Sequence, residues 1–225
     1  ILDSIVRDAE SRCDWICSIL LVDARGTALT RGAAPHVPDF IQGVTEGLPI
    51  AAGEGACGAA AHARARVVCA ELRTHPNWAR YRAVAEQAGW RAGWSEPILD
   101  ANGRVLGTFA NYRSRPGAPT AVEIDNVVQA AQIAAIAIER SRDEQALRAS
   151  EAQLAAKSRA LEVTLERMEE GVMMVSPERI VEVCNRRAIE LLELPPEMMA
   201  ARPTFAELLE YQWRTEEFAH TSEDL

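Results

Sequence analysis

Hydrophobic and polar residues change spacing repeatedly along the first half of the chain. Some stretches place apolar residues every three or four positions, as helices do, and others are short apolar or alternating runs typical of strands. The predicted strands are 16–23, 28–31, 67–70, 92–99 and 105–113, and the predicted helices are 1–13, 37–44 and 77–89. The turn at 100–103 joins the last two strands into a hairpin. This order predicts an α+β fold with an antiparallel sheet.

A single long helix is predicted over residues 120–168. The stretch contains neither Pro nor Gly, and strong helix formers fill most of its positions. Thr120 and Glu123 have the spacing of a capping box at its start. At 1.5 Å per residue the helix would be about 70 Å long, which exceeds the size of a small domain. It is therefore predicted to connect two parts of the protein.

The two halves of this helix have different patterns. The first half has a wide apolar face, typical of a helix packed on a domain, made by Ile124, Val127, Val128, Ala131, Ile133, Ala134, Ala135, Ile136 and Ile138. The second half is charged, and its large apolar residues are spaced seven apart and joined by one more: Leu147, Leu154, Leu161 and Met168, with Leu165. A seven-residue repeat predicts a two-stranded coiled coil, and hence a homodimer. The repeat does not fix the orientation of the two helices, but signalling through a connector requires a parallel pair.

The predicted seam of this coiled coil is incompletely apolar. The second seam position, four residues after each leucine of the repeat, is held by Glu151, then by Ser158, and only then by the apolar Leu165. Such a seam is marginally stable and can change register. The alternative is a solvated helix lying on its own domain.

Residues 168–225 form a second predicted unit. Short strands are expected at 172–175 and 180–184, followed by a helix that begins at Asn185. Pro195 and Pro196 are expected to end that helix. A further amphipathic helix is predicted over 205–213, with Phe205, Leu208, Leu209 and Trp213 on its apolar face.

Composition and charge limit the classes of function. The chain has 225 residues, 48% of them hydrophobic, which suits one or two domains with apolar cores. A net charge of −9 argues against binding nucleic acid, whose phosphates attract basic surfaces. Five Cys without a CxxC pair and four dispersed His favour reduced thiols over a zinc site or a disulfide framework. No apolar run of about 20 residues predicts a membrane span, and no signal peptide is found. We therefore expect a cytoplasmic protein, although a chain that begins at Ile1 leaves an upstream anchor open.

Three ordered motifs resemble a GAF domain of bacterial sensor proteins. They are LPIAAGEGACGAAAHARARVVCAE, THPNWARYRAVAEQAGWRAGWSEPILDANGRVLGTFANY and PTAVEIDNVVQAAQIAAIAIER. The resemblance implies a six-stranded antiparallel sheet with flanking helices on one face and a ligand cavity on the other, in a domain covering residues 1–139. As candidate pocket residues for an unknown small molecule we take Cys57, Trp78, Tyr81, Trp94, Ser95 and His75.

The residues expected of specialised GAF ligands are missing. The Asn-Lys and Asp-Glu signature of cyclic-nucleotide binders is not found, and no Cys is followed by the His typical of covalent bilin attachment. For haem, His62 and His75 are the only plausible axial positions, and we do not favour haem. The glycines of GEGACG could cradle a phosphate, but no GK[ST] follows, so a tight loop that needs glycine backbone angles is preferred. The cofactor therefore remains unknown.

The segment EEGVMMVSPERIVEVCNRRAIELLELPPEMM is similar to the first half of a PAS domain. The domain plan is then a GAF domain at 1–139, a connecting signalling helix at 140–167 and a partial PAS domain at 168–225; the alternative for the last is a small helical extension. We find no catalytic constellation in these residues. The resemblance implies the sensory region of a bacterial signal-transduction protein, with a downstream histidine kinase in cis, or alternatively a diguanylate cyclase or phosphodiesterase.

Two other classes of function stay open. Some GAF-fold proteins reduce methionine sulfoxide through cysteines, and this chain has Cys57 and Cys69 in the corresponding domain, although their spacing matches no pattern that we recognise. The other class is a structural dimerisation module with a degenerate cavity.

Overall fold

The computed structural model describes residues 1–215, apart from the side chain of Gln42. The chain divides into two compact units, Ile1–Gln145 and Ala146–Leu225. Residues 216–225 of the predicted second domain lie outside the described part of the chain.

The first unit is built on an antiparallel sheet of six strands in the order β3-β2-β1-β6-β5-β4. The strands are β1 Ile16–Val22, β2 Ala28–Ala33, β3 Leu48–Pro49, β4 Val67–Cys69, β5 Ala92–Leu99 and β6 Val105–Arg113. The helices are α1 Leu2–Ser11, α2 Asp39–Thr45, α3 Gly55–Ala63, α4 Arg82–Gln87 and α5 Ala121–Glu166, with a 3-10 turn at Pro76–Trp78. The predicted six-stranded sheet and its flanking helices are confirmed.

Tight turns hold the hairpins in register. Asp100 closes the β5–β6 turn because its carboxylate accepts hydrogen bonds from the backbone N–H groups of Asn102 and Arg104 at 2.9 and 2.8 Å. The turn also needs a residue with positive φ, and Gly103 supplies it with a φ of +75°. The sixth strand, β3, was not visible as a separate pattern because it is only two residues long and ends in Pro49. Proline is tolerated there because β3 is the edge strand.

The sheet separates two apolar cores. On one face, α1 and α5 cover alternate residues of the central strands, including Ile19, Trp94 and Phe109. On the other face, the loops with α2, α3 and α4 cover Leu20, Ala110 and Tyr112. Successive residues of a strand point to opposite faces, so each strand contributes to both cores.

The first half of α5 packs on the sheet through a narrower face than predicted. The buried residues are Val127, Ala130, Ala131, Ala134, Ala135 and Ile138. Ile133 and Ile136, which we expected on the packed face, are 57% and 67% exposed. The buried side of α5 is made largely of small alanines, and Ile133 and Ile136 lie outside it, so this part of the prediction is wrong.

Helix α5 begins as predicted. The Thr120 N–H donates to the Glu123 carboxylate at 2.6 Å, and the Glu123 N–H donates to the Thr120 hydroxyl at 3.3 Å, which is a capping box. One 18-residue window of α5 has a mean hydropathy of 1.3, enough by length and composition to cross a membrane, and 33% of it is buried. Packing on the sheet accounts for only part of this apolar character, because Ile133 and Ile136 of the same helix are exposed.

After α5, the described part of the second unit, which ends at residue 215, contains a two-stranded sheet and three short helices. They are β7 Met173–Val175, β8 Val181–Cys184, α6 Arg186–Leu191, α7 Pro196–Ala200 and α8 Phe205–Arg214. Their small core is formed by Val181, Leu194 and Leu208. Pro196 begins a new helix instead of ending the previous one, because the missing N–H of proline costs nothing in the first turn.

Part of the predicted apolar face of α8 is not buried in this unit. Trp213 is 72% exposed, and Phe205 and Leu209 are 39% and 37% exposed. Only Leu208 of that face is fully buried. The apolar face of α8 is therefore only partly covered within the described part of this unit.

Asn185 ties the elements of the second unit together. Its side-chain oxygen accepts hydrogen bonds from the N–H groups of Ala188 at 3.0 Å and Val172 at 2.8 Å. Its amide group donates to the carbonyls of Leu165 and Glu170, each at 2.9 Å. The bond from the Ala188 N–H caps α6, and the Leu165 carbonyl belongs to the last turn of α5. One buried side chain therefore joins the end of α5 to the strand and helix that follow.

Candidate functional site

A small apolar cavity, partly open to solvent, lies between the sheet and the loops of the first unit. Its walls are α2, the start of α3, the 3-10 turn, α4 and the two aromatic residues Trp90 and Tyr112. Its volume is about 30 Å³. A water molecule needs roughly 10–15 Å³ by the same kind of measure, so the space suits about two waters. Ligand pockets are commonly ten times larger, so a ligand has to displace side chains or loops.

Aromatic rings fill most of the space beside this cavity. Trp90 stacks on Tyr112 with ring centroids 4.0 Å apart and planes 4° apart. Trp78 contacts Tyr112 and Tyr81 edge to face, at 6.0 and 6.2 Å between centroids. Within residues 1–215 the buried indole N–H of Trp90 has no hydrogen-bond acceptor. An orphaned buried donor of this kind would favour a ligand that brings an acceptor group.

The loop before α3 forms the rim of the cavity. Gly53 and Gly55 have φ of +87° and +59°, which only glycine adopts without strain. Gly58 packs so closely against the Pro49 carbonyl that a Cβ atom would collide with it. These observations confirm the tight-loop interpretation of GEGACG. A phosphate is disfavoured at the start of α3 because Glu54, a carboxylate, holds the N-cap position.

Glu54, Tyr81 and Arg80 form a cluster that we call the latch. The Tyr81 hydroxyl donates a hydrogen bond to the Glu54 carboxylate. Arg80 lies 3.5 Å from the other carboxylate oxygen, and its guanidinium lies 5.9 Å from the centre of the Tyr81 ring. Burial and the neighbouring Glu54 raise the pKa of Tyr81 to about 12. The latch joins the start of α3 to the segment before α4, which are two walls of the cavity.

Cys57 lies inside the cavity wall, and its thiol is fully buried. Its Sγ is 3.5 Å from the Tyr112 hydroxyl. Burial raises the pKa of Cys57, and hydrogen bonds with Tyr112, Ser95 and Thr108 oppose this only in part. Burial also raises the pKa of Cys69 to about 12. Both groups are therefore thiols at neutral pH, whereas nucleophilic catalysis by cysteine needs the thiolate.

The structure gathers some of the predicted pocket residues and separates others. Cys57, Trp78 and Tyr81 line the cavity. Ser95 lies beneath them on the same face of the sheet, where its hydroxyl donates to the Phe109 carbonyl at 3.4 Å. Sequence reasoning missed Trp90 and Tyr112. Alternation along β6 could have placed Tyr112 on this face.

Trp94 and His75 lie elsewhere, which corrects their prediction as pocket residues. Trp94 points to the opposite face of the sheet from its neighbour Ser95, as strand alternation requires, and contacts Trp15 edge to face at 6.3 Å. His75 caps the 3-10 turn, where its Nδ1 accepts a hydrogen bond from the Asn77 N–H at 3.2 Å.

The described part of the chain shows where the candidate metal and haem ligands lie. Within residues 1–215 no group of three or more His, Cys, Asp or Glu side chains is placed to hold a metal ion. His62 and His75, the two positions considered for a haem ligand, are both outside the lining of the cavity.

The predicted seam residues of α5 differ in their surroundings. Leu147, Leu154 and Leu161 are 60%, 65% and 65% exposed, and Met168 is 36% exposed. Leu165 is half-buried, and its carbonyl accepts a hydrogen bond from the Asn185 amide. Three large leucines on one side of a charged helix are therefore left without packing partners in the described chain.

Comparison with known proteins relates both units to sensory domains. Residues 1–139 match the model of a GAF domain family, and residues 165–225 match that of a PAS fold. Over 142 residues the chain is 30% identical to a methyl sulfide methyltransferase-associated sensor of Methanosarcina acetivorans. That match covers 63% of this chain but only 14% of the sensor's length.

Solved structures share the fold of the first unit. A domain assigned to a two-component sensor histidine kinase protein of Sinorhizobium meliloti 1021 superposes with a TM-score of 0.51 at 22% identity, covering 65% of this chain and 94% of that domain. A free methionine-R-sulfoxide reductase of Neisseria meningitidis gives a TM-score of 0.50 at 20% identity, covering 64% of this chain and 78% of the reductase. At these identities the likeness establishes the fold alone.

Proposed function

We propose, from the premise that this chain belongs to the GAF domain family, that it is the sensory and signal-transmitting region of a longer cytoplasmic signalling protein. A small ligand in the cavity of the first unit would change the position of α5 in a parallel homodimer. The PAS-fold region would pass this change to an output domain in cis. A sensor histidine kinase is the output that we favour, with a diguanylate cyclase or phosphodiesterase as the alternative.

One observation carries this proposal: the sheet that floors the cavity is also the surface on which α5 packs. On β6, Tyr112 faces the cavity while Phe109 and Asn111 are buried on the other face. Helix α5 then continues without a break from Ala121 to Glu166. A shift of β6 caused by a ligand would therefore be felt directly by a helix that extends beyond the sheet.

The cavity and latch indicate what the ligand must do. Because the cavity has a volume of about 30 Å³, a ligand has to open the wall formed by α2 and α4. The hydrogen bond between Tyr81 and the charged Glu54 would contribute about 1–2 kcal/mol to the closed state, since it is partly exposed to solvent. A differential affinity of about 1.4 kcal/mol already changes the open-to-closed ratio tenfold. The aromatic walls and the orphaned Trp90 N–H favour a planar apolar ligand with one acceptor group.

A second copy of the chain is the partner that we propose for α5. Leu147, Leu154 and Leu161 are exposed at seven-residue spacing, which suits a parallel coiled coil. Glu151 and Ser158 weaken this seam, so two registers would lie close in energy. A ligand-driven rotation of α5 would select one of the registers. In the full signalling protein, leucine at both positions would lock the output.

The experiment that tests ligand access uses tryptophan fluorescence. In a Trp213→Phe background, which removes the exposed tryptophan, quenching by acrylamide reports access to the buried indoles. We expect Tyr81→Phe to raise the quenching constant several-fold, because the hydroxyl that holds the latch is gone. Tyr211→Phe, in the second unit, is the matched control and leaves quenching unchanged. Equal quenching constants in Tyr81→Phe and Tyr211→Phe would contradict the idea that the latch controls access to the cavity.

Scattering tests the transmission step. Light scattering combined with small-angle X-ray scattering is expected to show a dimer with a long maximum dimension, which truncation after Glu139 converts to a compact monomer. A monomeric full chain would overturn the coiled-coil step and leave a ligand-binding module. In the longer protein, transfer of phosphate from ATP to a histidine would indicate a kinase output. Synthesis of a cyclic dinucleotide from GTP would indicate a cyclase output instead.

A further inference from the structure

A surface groove at the end of α3 in the first unit is lined by three basic residues, and we call it the basic groove. His62 and Arg64 lie at the end of α3, and Arg104 lies in the turn between β5 and β6. The groove has a volume of about 280 Å³, and none of the described residues that line it is an Asp or a Glu. Because the chain has 33 Asp and Glu against 24 Lys and Arg, composition alone would not produce such a groove.

The positive charge of the basic groove is only partly neutralised. The Arg104 Nε donates to the Asp100 carboxylate at 3.1 Å, while its two terminal nitrogens have no acceptor within residues 1–215. In the same part of the chain the side chains of His62 and Arg64 have no hydrogen-bond or ion-pair partner. Arg142 of α5 donates to the carbonyl of Val22, a residue that lines the groove, at 3.4 Å. Donor groups and positive charge are therefore left over for an anion.

Arg64 occupies a backbone position that favours glycine. Its φ and ψ are 52° and 33°, in the left-handed region, and its N–H donates to the Ala60 carbonyl to end α3. A residue with a Cβ is strained in this region, and glycine is the usual residue where a helix ends in this way. The dipole of α3 favours basic residues at its end, but it has no bearing on Arg104, which belongs to a turn. Since local structure does not require an arginine at position 64, its side chain is the reason to look for a role.

The remaining lining of the basic groove is apolar apart from backbone. Val22, Ile50 and Val105 are half-buried there, and Ala61 of α3 is buried. Gly26 of the β1–β2 turn completes the lining. Binding sites for small molecules commonly combine apolar walls with a few polar groups that fix the orientation of the ligand. The groove therefore suits a molecule that has an anionic group at one end and an apolar body at the other.

We propose that the basic groove binds a small phosphate monoester whose organic group is apolar. The guanidinium groups of Arg64 and Arg104 donate hydrogen bonds to the phosphate oxygens, and the His62 imidazole donates one more. Two guanidinium groups from different elements can use more oxygens than the two of a carboxylate, which favours phosphate. The basic groove and the cavity share no lining residue, so this site is separate from the proposed ligand site and either idea can fail without the other.

Phenyl phosphate is the probe that tests this proposal. Phosphorus NMR follows its chemical shift as the full chain is added, and we expect saturable binding at millimolar concentration. Benzoate and inorganic phosphate, added as competitors, should each displace phenyl phosphate several-fold less well than unlabelled ester does. The reason is that benzoate offers only two oxygens to the guanidinium groups, and inorganic phosphate has no apolar group to cover the floor of the groove.

Variants assign the binding to the basic groove. Arg64→Gly should weaken binding at least about tenfold, because a charge-assisted pair is lost. Glycine suits the left-handed backbone at this position, so this variant should unfold at or above the wild-type temperature. Arg104→Gln should weaken binding to a similar degree. Arg179→Gly is the matched control, since Arg179 has a φ of 64° in the second unit, and it should leave binding unchanged.

Three outcomes would overturn the proposal. The first is the absence of saturable binding of phenyl phosphate to the wild type. The second is wild-type affinity in Arg64→Gly and Arg104→Gln, which would place the probe elsewhere on the protein. The third is equal displacement by benzoate, which would reject phosphate as the recognised group. If Arg64→Gly unfolds at a lower temperature than the wild type, the affinity of Arg104→Gln still decides the matter.

Discussion

Replacement of Asn185 by alanine should loosen the second unit while leaving the first intact. The side chain is 1% exposed and makes four hydrogen bonds to backbone groups. Loss of the cap on α6 alone costs about 1 kcal/mol. The three remaining bonds contribute about 0.5–1.5 kcal/mol each, and water can replace part of them. The expected loss in free energy of unfolding of this unit is therefore about 3 kcal/mol.

A loss of this size is large for so small a unit. Its fully buried apolar core contains Val181, Leu194 and Leu208 with few others, and small cores are marginally stable. About 3 kcal/mol corresponds to more than a hundredfold increase in the open population. Because Asn185 also holds the Leu165 carbonyl in the last turn of α5, that turn should fray as well.

Hydrogen exchange with mass spectrometry measures this effect by segment. Amides of β8 and α6 should exchange about a hundredfold faster in Asn185→Ala, whereas β1 and β6 should keep their protection. Asn185→Asp keeps both acceptor bonds and loses both donor bonds, so an intermediate effect is expected. Asn126→Ala, on the sheet-packed part of α5, is the matched control for the second unit. Unchanged exchange of β8 in Asn185→Ala would refute the role given to this side chain.

Three further predictions follow from the seam, the tyrosines and the buried thiol. Replacing both Glu151 and Ser158 with leucine should make the free energy of dimerisation more favourable by at least about 3 kcal/mol, because each buried leucine contributes about 1.5–3 kcal/mol. Sedimentation equilibrium measures this, and an unchanged dissociation constant would contradict the assignment of these positions to a dimer seam. The raised pKa values of Tyr81, about 12, and of Tyr112 favour the neutral phenols, so the contribution of these two groups to the free energy of unfolding in urea should be constant below pH 10 and fall as the pH rises towards 12. This fall adds to an earlier one that begins near pH 9, where the raised pKa values of the buried Cys57 and Cys69 thiols take effect. A profile that is flat above pH 10 would contradict the burial of the tyrosines. Free methionine sulfoxide with a thiol reductant should give no turnover, and iodoacetamide should not label Cys57 in the folded protein, because the Cys57 thiol is buried and protonated. If the wild type did reduce methionine sulfoxide and Cys57→Ser did not, this conclusion would be reversed.

Much of the fold could be predicted from local patterns. The strands β1, β5 and β6 are long apolar or alternating runs, and the turn at Asp100 has the residues that such a turn needs. The start of α5 follows from Thr120 and Glu123, whose capping box depends only on neighbouring residues. β3 could not be found this way, because a two-residue strand is defined by its pairing with β2 and not by its own sequence.

The candidate site could be predicted only in part. Cys57, Trp78 and Tyr81 were recognised, but Trp90 and Tyr112, whose rings stack against each other, were not. Trp94 was placed on the wrong face because the pattern of a strand buried on both sides gives no sign of which core each residue enters. The volume of the cavity is likewise a property of the packed rings and has no local signal.

The sequence by itself determined the order of elements, the length of α5 and the seven-residue spacing of its leucines, since these depend on neighbours along the chain. The tertiary structure alone decided which side chains meet. It brought Glu54 to Tyr81, stacked Trp90 on Tyr112, and exposed Ile133 and Ile136 where the pattern predicted burial. The physical reason is that contacts between elements depend on how the sheet twists and how closely small residues let helices approach, and neither is encoded in any single stretch of the chain.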